Sequence, residues 1–111
     1  MQPTEPDTIV IYITVPNADE AKSLAQTLVR EKLVACVNIV SGIQSVYSWE
    51  GSIQTENELL LICKSRTERF EALKNRVQSL HSYDVPEIIS IPILNGSEPY
   101  LNWVRENSTP N

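Results

Sequence analysis

The sequence predicts one α+β domain of the ferredoxin-like type, with the element order β-α-β-β-α-β and a short helix appended. Three observations carry this reading. A chain of 111 residues is the size of a single domain. Its apolar residues fall into strand-sized runs that alternate with two segments of helical spacing. The two central strands are joined by a tight turn, which gives an antiparallel hairpin between the helices. Residues 1–7 are expected to form a flexible arm, 8–107 the domain and 108–111 a tail.

Each element has its own signal. Thr8 to Val15 (TIVIYITV) is rich in β-branched residues and apolar at nearly every position, the pattern of a central strand covered on both faces. Pro16 ends it. Asn17 supplies a capping oxygen with Glu20 three positions on, and Ala21, Leu24, Ala25, Leu28 and Val29 then recur at helical spacing. Val34 to Trp49 and Ser52 to Lys64 read as the two arms of a long hairpin around Trp49-Glu50-Gly51. Ser41-Gly42 interrupts the first arm, where a glycine marks a bend or bulge. Ser65-Arg66-Thr67-Glu68 has the form of a second capping box, ahead of a helix carrying Phe70, Leu73, Val77 and Leu80. Ile88 to Leu94 is a fourth strand, which Pro92 assigns to an edge or a bulge. Pro99 to Glu106 forms the terminal helix, with proline at its first turn.

Composition narrows the function. With 9 basic residues against 14 acidic ones, a net charge of -5 disfavours nucleic acid and anionic membranes and favours cations as guests. The start of the chain lacks the basic and apolar run of a signal peptide, and no apolar stretch is long enough to cross a bilayer. A cytoplasmic location is therefore expected. Two cysteines without C-x-x-C spacing are expected to be free thiols in a reducing compartment. The strands are apolar at odd and even positions alike: Ile9, Ile11, Ile13 and Val15 face one way, Val10 and Tyr12 the other. Two helices cover one sheet face, so the second apolar face predicts self-association.

Four stretches agree together along nearly the whole domain: EKLVACVNIVSGIQSVYSWEGSI at 31–53, LLLICKSR at 59–66, SYDVPEIISIPILNG at 82–96 and PYLNWV at 99–104. In them the chain resembles the CutA family of divalent-cation tolerance proteins. The resemblance implies a homotrimer whose sheets line an inner core, with helices outside and hairpins reaching onto neighbours, similar to the PII signalling proteins. It implies no catalytic reaction. Copper ligation in bacterial relatives is associated with a cysteine near the end of the first strand and paired histidines before the YxxPE segment. Here Ile13, Leu80 and His81 hold those positions.

Within this frame, Cys36 and His81 are the candidate copper ligands, with Glu87 as a hard donor and Tyr83 as its hydrogen-bonding neighbour. Cys36 and Cys63 also suit small core residues of apolar strands. His81 also suits a helix end, where its charge complements the dipole. Lys64 and Tyr83 are the candidates for an intersubunit cleft, Lys64 toward an anionic ligand, the feature that a PII-like signalling module binding a small ligand or partner protein would use. Tyr47, Trp49, Tyr100 and Trp103 are the candidate trimer contacts, since large amphipathic rings are enriched at interfaces.

Other chemistries of the same fold lack their residues. The loop after the first strand, Pro16-Asn17-Ala18-Asp19-Glu20, has neither the arginine of an acylphosphatase nor the C-x-x-C of a copper chaperone. One histidine in the whole chain leaves little acid-base machinery.

Overall fold

The structure, a computed structural model, describes residues 6–110. Its elements are β1 (Thr8–Val15), α1 (Ala18–Arg30), β2 (Cys36–Trp49), β3 (Ser52–Arg66), α2 (Phe70–Leu80), β4 (Ile88–Pro92) and α3 (Glu98–Asn107), with a turn of 3-10 helix at Thr67–Arg69. The four strands form one antiparallel sheet in the order β2-β3-β1-β4. This is the predicted ferredoxin-like arrangement, and Pro92 lies on the edge strand β4, opposite Ile9.

Local chemistry accounts for the boundaries. The Asn17 side chain accepts from the Glu20 backbone N–H at 2.8 Å and caps α1. At the other end of α1, Lys32 takes a positive φ of 57°. Its N–H bonds to the Val29 carbonyl while the Leu33 N–H reaches the Leu28 carbonyl, the two bonds of a Schellman motif. The hairpin turn is the two residues Glu50 and Gly51, with φ of 50° and 81°, between the paired Trp49 and Ser52. Positive φ at both positions matches the twist of the flanking strands. The register of β2 on β3 shifts between Val40 and Ile43, where Gly42 has φ 78°. The interruption expected at Ser41-Gly42 is therefore a bulge.

The second capping box is not formed. Ser65 continues β3 opposite Ile9, and its side chain points into the core, where the hydroxyl donates to the Leu33 carbonyl at 2.6 Å. A buried hydroxyl must find a partner, and that requirement outranks the local capping pattern. The expected arm and tail are also tied down where they are described. The Pro6 carbonyl accepts from the Thr67 hydroxyl, Asp7 pairs with Arg105, and Arg66 donates to Thr109. Residues 1–5 and 111 of those two segments lie outside the described residues.

Strand register sorts the sheet into two faces. Ile9, Ile11, Ile13 and Val15 of β1, with Leu61 and Cys63 of β3, pack against Leu24 and Leu28 of α1 and Leu73 and Val77 of α2. This is the core. The opposite face carries Val10, Tyr12, Leu60, Ile62, Ile89 and Ile91, with Cys36, Asn38 and Lys64 toward the chain-terminal end. Ile89 and Ile91 remain 50% and 46% exposed. The third helix covers one end of this face: the Tyr100 hydroxyl lies 3.6 Å from the Cys36 thiol, and Thr8 beneath it is buried. Val40 on β2 is left open as well.

Candidate functional site

Past the bulge, β2 and β3 extend beyond the core, and their open-face side chains meet the loop that joins α2 to β4. Between them lies a cleft of ≈ 900 Å³. Tyr47 and Trp49 line it from β2, Glu56 and Glu58 from β3, Thr14 from the end of β1, and Tyr83, Asp84 and Glu87 from the loop. Two phenols hold two of the carboxylates. Tyr83 donates its hydroxyl to Glu58 at 3.0 Å, and Tyr47 bonds Glu56. Both tyrosines have their phenol pKa raised: Tyr83 first by burial and then by Glu58, Tyr47 first by the bond to Glu56. Each therefore stays a proton donor across the physiological range.

His81 fixes the loop to the sheet. Its ring is fully buried, with Nε2 2.8 Å from the Thr14 carbonyl. Nδ1 accepts from the Tyr83 backbone N–H at 3.0 Å, and the ring packs 4.8 Å from that of Tyr83. An Nδ1 that accepts places the proton on Nε2, which then donates to Thr14. Glu20 adds a second tie, accepting from the Ser82 N–H at 3.1 Å and lying 3.5 Å from Nδ1. In this arrangement neither ring nitrogen offers a lone pair to a metal.

The expected copper set does not come together within the chain. Glu87 lies at the cleft, and His81 is buried beneath the loop. Cys36 sits under α3, where the bond to its thiol and then burial push the Tyr100 phenol up to about 12. Among the described residues no three His, Cys, Asp or Glu side chains are placed to hold a metal ion. Within one chain, then, these residues do not fit copper. Tyr83, a candidate cleft residue, lines this cleft together with Glu87, and its hydroxyl donates to Glu58 because the loop presents it to β3.

Lys64 is beside the Cys36 end of the open face and bonds the Asn38 side chain, away from the cleft residues. Tyr100 and Trp103 stack on each other at 5.8 Å on α3, whereas Tyr47 and Trp49 project from the hairpin. The four expected contact rings thus form two separate pairs. Cys36 and Cys63 are both free thiols, and they point to opposite faces of the sheet. Burial raises the Cys63 thiol to about 12.

Sequence reading passed over Glu56 and Glu58. Their signal was a spacing of two within the polar first half of a strand, which puts both carboxylates on one face. Asp84 was hidden in a turn, where an aspartate needs no further explanation.

Comparison with known proteins gives a consistent result. Residues 9–107 match the family model described as CutA1 divalent ion tolerance protein. The chain is 54% identical over 103 residues to Protein CutA, chloroplastic, of Arabidopsis thaliana, covering 93% of this chain and 56% of that protein. It is 50% identical to the Divalent-cation tolerance protein CutA of Thermus thermophilus, covering 89% of this chain and 96% of that one. It therefore spans little more than half of the plant relative and nearly all of the bacterial one. Among solved structures, CutA1 from Oryza sativa superposes with a TM-score of 0.92 at 48% identity, covering 96% of this chain and 98% of that chain. The divalent cation tolerance protein from Thermus thermophilus gives 0.90 at 48% identity, with coverages of 92% and 99%. With the family model matched from the first strand to the end of the last helix, the chain belongs to the CutA1 divalent ion tolerance family.

Proposed function

We propose that the chain serves tolerance of divalent cations as a homotrimer, without catalytic chemistry of its own. The observation that supports the assembly is the half-exposed apolar face carrying Ile89, Ile91 and Val40, which α3 leaves open. A surface of that kind on a folded domain marks an interaction site. Copies of the same sheet close this face around a three-fold axis, each chain meeting its two neighbours through two different surfaces. Family membership supports the biological role, since the family is named for tolerance of divalent ions.

Among the described residues of one chain no three side chains converge to hold copper, and no such site is proposed. With a net charge of -5 per chain, three copies together make an acidic assembly that attracts cations. The cytoplasm belongs to the same proposal, because a reducing compartment keeps Cys36 and Cys63 as thiols. Among the described residues no helix is long and apolar enough to cross a membrane.

A growth assay tests the role. Cells lacking their own family member should regain growth at inhibitory copper, zinc or cobalt when they express this chain. An Ile89→Asp/Ile91→Asp variant, which places charge on the open face, should fail to restore it. Equal growth with and without the wild-type chain at every metal would overturn the reading.

A further inference from the structure

The connection from β4 to α3 sets an asparagine beside a glycine in a segment that the fold holds only at its ends. Residues 93–97 lie outside every helix and strand, and Asn95 and Gly96 are both exposed. On one side the Ile93 N–H donates to the Thr8 carbonyl, and on the other the Ser97 carbonyl accepts from the Leu101 N–H. Between these ties, among the described residues, neither the Gly96 N–H nor the Asn95 side chain has a hydrogen-bond partner. With no Cβ on Gly96 to stand in the way, its nitrogen can close on the Asn95 side-chain carbonyl. Asparagine is a thermolabile residue for this reason.

We propose that Asn95-Gly96 is a site of spontaneous deamidation, which places a new carboxylate at the entrance to α3. The Gly96 nitrogen gives up its proton to solvent and attacks Asn95 Cγ. The N–Cγ bond forms, the Cγ–Nδ2 bond breaks, and the side-chain nitrogen takes a proton from solvent and leaves as ammonia. Water then opens the cyclic imide. Addition at Cγ gives aspartate with the chain restored; addition at the Asn95 main-chain carbonyl gives isoaspartate, whose backbone runs through Cβ and Cγ. The site goes beyond cation tolerance and does not rest on the trimer.

The fold confines this chemistry to one position. The Asn17 side chain accepts from the Glu20 N–H, that of Asn38 from Lys64 and that of Asn102 from Arg105. Asn107 also precedes a small residue, but its amide donates to the Trp103 carbonyl and the Ser108 N–H bonds the Arg105 carbonyl. A held amide does not swing onto the next nitrogen. The two products differ in consequence. Ser97 makes no capping bond at the start of α3, so an aspartate nearby suits the helix dipole. Gly96, however, lies close against Leu101: a Cβ placed on it would come to 3.0 Å from that side chain, which is only 7% exposed. The extra backbone methylene of isoaspartate therefore pushes against a seated helix and should loosen α3.

Incubation of the wild-type protein in mildly alkaline buffer, followed by peptide mapping with mass spectrometry, tests this. The expected result is steady conversion of the Asn95 peptide, with isoaspartate in excess over aspartate, while the peptides carrying Asn17, Asn102 and Asn107 stay unchanged. Asn95→Gln, whose longer side chain must close a less favourable ring, should lose the conversion. Aged wild type should then unfold at a lower temperature than Asn95→Gln aged beside it. An Asn95 that converts in the urea-unfolded chain but stays intact in the folded protein would overturn the proposal, because the fold or a neighbouring copy would then shield the loop. So would conversion of the other asparagines at the same rate, or equal unfolding temperatures after Asn95 has converted.

Discussion

The two faces of the sheet are built from the same kinds of residue and have opposite fates. On the helix side, Ile11, Ile13 and Leu61 are completely buried under α1 and α2. On the other side, Ile89 and Ile91 alternate with them in register and stay half exposed. Burial of an aliphatic side chain is worth about 1.5–3 kcal/mol, so the first face holds the chain together. The second leaves that free energy unrealised within one chain. Strand composition alone does not tell the faces apart; the supply of covering helices does.

Substitutions should divide along this line. The largest effect is expected for Leu61→Ala, which empties a fully buried position and should cost about 2–5 kcal/mol in urea unfolding. A loss below about 1 kcal/mol would mean that the helix face is less tightly packed than described. Ser65→Ala comes next. It strands the Leu33 carbonyl that the hydroxyl serves in the core, and about 1–3 kcal/mol is expected in the same measurement. Ile91→Ser on the open face should change the unfolding of the isolated chain by about 0.5 kcal/mol or less, while it lowers the mass of the assembled species in light scattering.

The two thiols report on the same comparison without mutation. Cys63 lies on the helix face, with its pKa pushed to about 12 by burial; Cys36 lies on the open face, half-buried under α3. Alkylation at pH 8 should modify Cys36 first and reach Cys63 only with global unfolding. Equal rates in the folded protein would contradict the assignment of faces.

The smallest expected effect concerns the strut that ties α3 across the start of β1. The bond from Arg105 holds the Asp7 carboxyl below its ordinary 3.8. A depressed folded value means that its stabilisation is present above pH 3.8 and is lost as the pH falls through the lower folded value. Arg105→Gln should therefore narrow the difference between stability at pH 6 and at pH 3, read from thermal unfolding. An unchanged difference would show that this exposed pair does not matter.

Most of the fold was legible in the sequence, because its signals are local. Asn17 caps α1 as its spacing indicates, Gly42 marks the bulge, and the Glu50-Gly51 turn closes the hairpin. Ser65 was misread because its partner, the Leu33 carbonyl, is far away in sequence. The site was less legible for the same reason. His81 suits a metal ligand or a helix end by sequence, whereas Thr14 and Tyr83, which engage its two ring nitrogens, lie on other segments that spacing does not bring together. Glu58 carried no motif, and its place in the cleft comes from burial and from the approach of the Tyr83 loop, neither of which spacing encodes.

Sedimentation equilibrium of the wild-type chain at micromolar concentration tests the central claim most directly. The account predicts a species of three times the 12.5 kDa of one chain, reduced to a folded single chain by Ile89→Asp/Ile91→Asp. A stable, folded wild-type monomer would contradict it.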